Sequence, residues 1–171
     1  MEHINTPFTD LLSPKELENL EQLIRHNFLK AFQDNIQLQL HNENWDYFIS
    51  LIEELKQRLY SLVPNRRDLH AKLDDNIPVA LISQMIKNKA IRVSDFRGYF
   101  TVLVDWLKDV CDPDEEKQAL ELRTELQHME IISFDTAIPP IIMKINQLID
   151  RVGKKRQDFL LLTSSLDVHL S

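Results

Sequence analysis

Apolar residues recur three and four apart along nearly the whole chain, and the breaks in that rhythm coincide with prolines. That spacing places them on one side of an α-helix. At "SPKE", Ser13 suits the cap position, Pro14 the first helical residue, and Glu16 can reach back to the cap backbone as a capping box. A helix is expected from Pro14 to about Leu40, with Leu17, Leu20, Ile24, Phe28 and Ala31 in register. The next carries Trp45, Phe48, Ile49, Ile52, Leu55, Leu59 and Leu62 and stops before Pro64, whose nitrogen has no hydrogen to continue the ladder. "NRRDLHAKLD" reads as a short helix, and another follows from Pro78 to about Asn88.

Ser94 is placed to cap a further helix with Phe96, Tyr99, Phe100, Leu103, Trp106, Leu107 and Val110 in one stripe. Val102 and Val104 lie off that stripe, so this helix is expected to be buried on more than one side. Gly98 sits inside it, which suggests either close approach of another backbone or simple tolerance at a surface. A last helix is expected from about Ala137, with Ile138, Ile141, Ile142, Ile145, Leu148, Ile149 and Val152 in register. Pro139 and Pro140 then fall in its first turn, where amide hydrogens have no helical partner.

Between them stands "DVCDPDEEK", residues 109–117, holding the single cysteine. A reactive thiolate needs a cation, a histidine or a helix N-terminus beside it, and Cys111 is flanked by carboxylates instead. Asp112, Pro113 and Glu115 repeat the layout of Ser13, Pro14 and Glu16, so the acids are read as a second helix start and Cys111 as the end of the helix before it. Five long helices, one or two short ones and no strand or repeat signal predict an all-α, single-domain bundle. Residues 1–12 are read as an N-terminal extension and 13–171 as the helical domain.

A chain of 171 residues, 43% hydrophobic and 27% charged, suits one globular domain. One cysteine fits a reducing compartment, the N-terminus lacks a basic region followed by an apolar one, and no stretch approaches the ~18 apolar residues of a membrane span. A cytoplasmic location is expected. The net charge of −7 opposes general nucleic-acid binding, and two glycines do not build a phosphate-cradling loop. No two of the six histidines share ligand spacing on a helix face. Neither a metal, a cofactor nor a catalytic set is expected.

Binding surfaces are the better candidates. Arg151, Lys154 and Lys155 share a helical face, with Arg156 beside them, and could receive a phosphate group or an acidic segment; a solvated face is the plain alternative. In the tail, Phe159, Leu162, Leu166 and Leu170 form an apolar stripe rotated away from the row of Ile138 to Val152. Such a stripe folds back on the chain, pairs with a second copy or receives a protein partner.

The segment from Glu54 to Asp95, with Leu62, Pro64, Arg66, Leu69, Asp75, Ile82 and Gln84, resembles the core of the T-complex protein 11 family. The resemblance continues through Tyr99, Leu107, Cys111 and Pro113 and into "HMEIISFDTAIPPIIMKINQLIDRVGKKRQDF", covering about residues 45–160. "CDPDEEK" lacks the arginine usual in the family between the joint proline and the acids. The resemblance implies a non-enzymatic helical interaction module or regulator linked to cyclic-AMP and protein kinase A signalling. A microbial or viral effector that binds host proteins is one alternative, and an enzyme with a site between helices another.

Overall fold

Seven helices order the described residues: α1 (Pro14–His41), α2 (Trp45–Leu62), α3 (Arg67–Asn76), α4 (Val79–Lys87), α5 (Val93–Val110), α6 (Pro113–His128) and α7 (Phe134–Leu170). They come from a computed structural model that describes residues 12–130 and 133–170, the last six of these by their backbone alone. Five long helices and two short ones make an all-α bundle, as the periodicity predicts. Most of the N-terminal extension lies outside the described residues.

Local chemistry sets the helix ends. The capping box at α1 is formed: Ser13 Oγ accepts the Glu16 amide at 3.2 Å and the Glu16 carboxylate accepts the Ser13 amide at 3.1 Å. At its other end Glu43 turns left-handed, with φ 57°, and the Asn44 amide bonds back to the Gln39 carbonyl at 2.9 Å. α4 closes the same way through Lys89 (φ 54°) and the Ala90 amide on the Met85 carbonyl, 2.8 Å. The wrap-around bonds satisfy carbonyls left over by the helix and offset the roughly 1–2 kcal/mol that a left-handed non-glycine residue costs.

Three helix starts differ from expectation. α5 begins at Val93, and Asp95 holds it by accepting the Arg92 amide at 2.7 Å, so Ser94 is in the first turn and not the cap. Asp112 does precede α6, but its side chain makes no cap bond. Glu115 does not reach back to it either, because its carboxylate is held 2.7 Å from Lys155 Nζ on α7. α7 starts at Phe134, so Pro139 and Pro140 are its sixth and seventh residues and lie inside the helix. The physical reason is aromatic: the Phe134 ring packs edge-on against Trp45, Phe48 and Phe96 with centroids 5.7, 6.3 and 4.1 Å apart, which fixes the chain as helix ahead of the prolines.

α5 supplies the centre. Phe96, Phe100, Leu103, Val104, Trp106 and Leu107 are all buried, and α3, α6 and α7 pack around them. From α7 the full row Ile138, Ile141, Ile142, Ile145, Leu148, Ile149 and Val152 joins that core. Gly98 is not a point of close approach, since a Cβ there would meet nothing within 4 Å. Gly98→Ala should therefore raise stability by about 1 kcal/mol, read as a shift of the urea midpoint; a lower midpoint would mean that the open space is illusory.

α1 lies antiparallel along α7. His41 Nδ1 sits 3.1 Å from the Asp135 carboxylate, while Phe28 and Phe32 stand across from Met143 and Asp150. Its buried residues are Ile36 and Leu40. The stripe read from sequence is not its core face: Leu17 and Leu20 are half-buried and Ile24, Phe28 and Ala31 are exposed. The C-terminal half packs by a different face, and the N-terminal half has fewer neighbours.

Candidate functional site

Three helices enclose an open groove of about 220 Å³. Its floor is apolar: Leu51 and Leu55 of α2 and Met143 of α7 are buried core residues whose edges line the concavity. Leu29 and Phe32 of α1 continue it, and Phe28, 71% exposed, stands as its wall. Leu51 and Leu55 are one helical turn apart, as are Phe28 and Phe32, so each helix presents a short ridge with a trough between.

Charged groups occupy one side. The Arg58 guanidinium donates to Asn146 and to the Asp150 carboxylate, so these lining charges cancel. Glu54 is exposed and has no ion-pair partner among the described residues. The groove is therefore an apolar trough with a weakly acidic edge.

Several other polar groups are turned on one another. Lys155 Nζ lies 2.7 Å from Glu115 and 3.2 Å from Asp114, and the Glu115 carboxylate holds its ammonium above the ordinary lysine range. Arg151 donates to Gln118, and Arg156 donates to the Val110 carbonyl at 2.7 Å. Of the residues read as an anion-binding face, two thus serve to hold α7 against α6, and Lys154 alone makes no such contact among the described residues. Arg66 grips Asp68 at 2.8 and 2.9 Å and holds its carboxyl down at about 2. His70 Nε2 meets the Tyr60 and Val63 carbonyls at the end of α2, at 3.2 and 2.8 Å.

Cys111 behaves as its surroundings dictate. It ends α5, its Sγ lies 3.3 Å from the Lys108 carbonyl, and burial pushes its thiol up, with Glu116, Glu115 and Asp112 adding to the effect. A raised thiol is a poor nucleophile at neutral pH. Among the described residues no cluster of histidine, cysteine and carboxylates could hold a metal ion, and no helix is long and apolar enough to cross a membrane.

Of the tail stripe, Phe159 and Leu162 are 65% and 61% exposed, and so are Leu160 and Leu161 between them. Leu166 and Leu170 have side chains outside the described residues. The groove itself escaped sequence reading. Phe28 and Leu55 register there as helix positions, and Leu51, Arg58, Met143, Asn146 and Asp150 carry no signal.

Compared with known families, residues 9–152 match the family model described as T-complex protein 11. Neither a curated protein nor a solved structure gives a match.

Proposed function

The chain belongs to the T-complex protein 11 family, and from that premise we propose that it is a non-enzymatic, cytoplasmic interaction module that docks an amphipathic segment of a protein partner in the groove between α1, α2 and α7. One observation carries the reading: the wall of the groove, Phe28, is a large aromatic side chain left 71% exposed above an apolar floor. Helix-in-groove recognition takes apolar anchors spaced three and four residues apart and a rim that matches the charges beside them. With Arg58 and Asp150 paired and Glu54 left over, the preferred segment carries lysine or arginine at its edge. The net charge of −7 favours the same partner.

Support against catalysis comes from how the polar residues are spent. Lys56, Arg58, Arg151 and Lys155 hold helices together, Glu16 and Asp95 cap them, and the thiol is raised. The pathway that the family suggests, cyclic-AMP and protein kinase A signalling, supplies the first probes, the regulatory and catalytic subunits of that kinase. A host protein bound by a microbial or viral effector would use the same groove.

Phe28→Asp should weaken capture of the partner at least tenfold while circular dichroism stays unchanged. The measurement is quantitative mass spectrometry of proteins retained by the wild type and by the variant, followed by titration of the retained protein in purified form. Equal binding by a folded Phe28→Asp chain sinks the groove as the site.

A further inference from the structure

Beyond the Arg156 bond to the Val110 carbonyl at 2.7 Å, α7 continues to Leu170. After Gln157 and Asp158 come Phe159, Leu160, Leu161 and Leu162, each 61–65% exposed. Successive helical residues stand about 100° apart, so four in a row clothe the helix on every side. A helix that is apolar all round belongs in an interior. The antiparallel register set by His41 against Asp135 brings the N-terminal half of α1 alongside the later part of α7, with Leu23 and Ile24, 55% and 59% exposed, opposite about Gly153 and Val152, nearly two turns before Phe159. The two helices form an arm with uncovered apolar surface on both.

We infer that a second copy of this chain covers the arm, the α1 and α7 ends of the two copies closing into a four-helix bundle about a two-fold axis. Two observations select a second copy. The six apolar side chains, spread along both helices of the arm, leave on the order of 600–700 Å² in water, close to one partner's share of a standard interface. The arm is also complementary to itself in charge. α1 carries Glu18 and Glu21, and α7 carries Lys154 and Arg156; none of the four is in an ion pair among the described residues. A two-fold axis that sets α1 of one copy against α7 of the other joins acid to base twice, which a chain of net charge −7 needs if it is to meet itself.

Sedimentation velocity on the full chain, from low micromolar concentration upward, should show a reversible species of twice 20.2 kDa. Leu160→Asp with Leu161→Asp, and separately Leu23→Asp with Ile24→Asp, should each weaken self-association at least tenfold with unchanged circular dichroism. Serine at the same positions replaces aspartate if a variant loses helix. Glu18→Lys with Glu21→Lys should weaken it too, as should Lys154→Glu with Arg156→Glu, and mixing those two chains should give a heterodimer at least tenfold tighter than either homodimer. A mass that stays at 20.2 kDa, or a dimer indifferent to both leucine pairs, overturns the inference. Partner capture that survives the Leu160 and Leu161 changes yet is lost in Phe28→Asp leaves the docking groove standing whatever happens to the dimer.

Discussion

Phe48→Ala should cost about 4 kcal/mol and lower the melting temperature by on the order of 10 °C. Phe48 is 1% exposed, so the deleted ring leaves a cavity that a packed core closes only in part. Its neighbours make this the severe end of the range. The ring meets Trp45 of its own helix at 6.2 Å, Phe96 of α5 at 5.3 Å and Phe134 of α7 at 6.3 Å, all edge to face. Each such pair adds roughly 0.5–1.5 kcal/mol beyond the area it buries. Three helices therefore lose a shared anchor at once, including the turn that sets the start of α7. Phe28→Ala removes a ring of the same size at a site 71% exposed and should change stability by under about 0.5 kcal/mol. Urea titration of the two variants side by side checks both numbers. Equal losses would mean that Phe28 is covered in solution, which in a folded monomer contradicts the groove.

The same contrast shows what a sequence can say. Ser13, Pro14 and Pro113 mark helix starts because a cap and a missing amide hydrogen act within one turn of where they are written. The rows of α5 and α7 were legible because both helices are buried over many turns, so their apolar residues repeat at the helical period without interruption. Start signals that depend on distant residues were not legible. Pro139 and Pro140 argue for a helix beginning near Ala137, and only the packing of Phe134 on Trp45, Phe48 and Phe96 moves it to Phe134. Likewise Glu115 has the spacing of a capping box, but a lysine 40 residues away takes its carboxylate.

The candidate site lies wholly in that second class. Leu20, Ile24 and Phe28 have the spacing of a core stripe, and nothing local tells an apolar stripe that packs from one left open. Exposure is decided by which helix passes overhead, and over Phe28 none does. The cationic face of α7 is the converse. Its residues do share a face, yet the acids at the start of α6 already meet Lys155 there. Charge on a helix is visible in sequence; whether the fold has neutralised it is not.

Lys56 tests how the fold treats a charge it has taken inside. The residue is 8% exposed, and its ammonium lies 3.0 Å from the Ile77 carbonyl and 2.9 Å from Asp74. Ile77 is itself fully buried between α3 and α4, so Lys56 supplies the donor at a carbonyl in the core. Lys56→Ala removes the four-carbon stem as well as the donor. The cavity and the orphaned carbonyl together should cost about 3 kcal/mol. Lys56→Met refills most of the volume and removes a desolvated charge while Asp74, 56% exposed, stays in water. The remaining loss is the unsatisfied carbonyl, about 1 kcal/mol, because replacing a buried ion by an apolar residue of similar size is often close to neutral. Denaturant unfolding of the two variants therefore separates packing from charge. A methionine variant as unstable as the alanine one would show that the ammonium, rather than its stem, holds α2 to the α3–α4 joint.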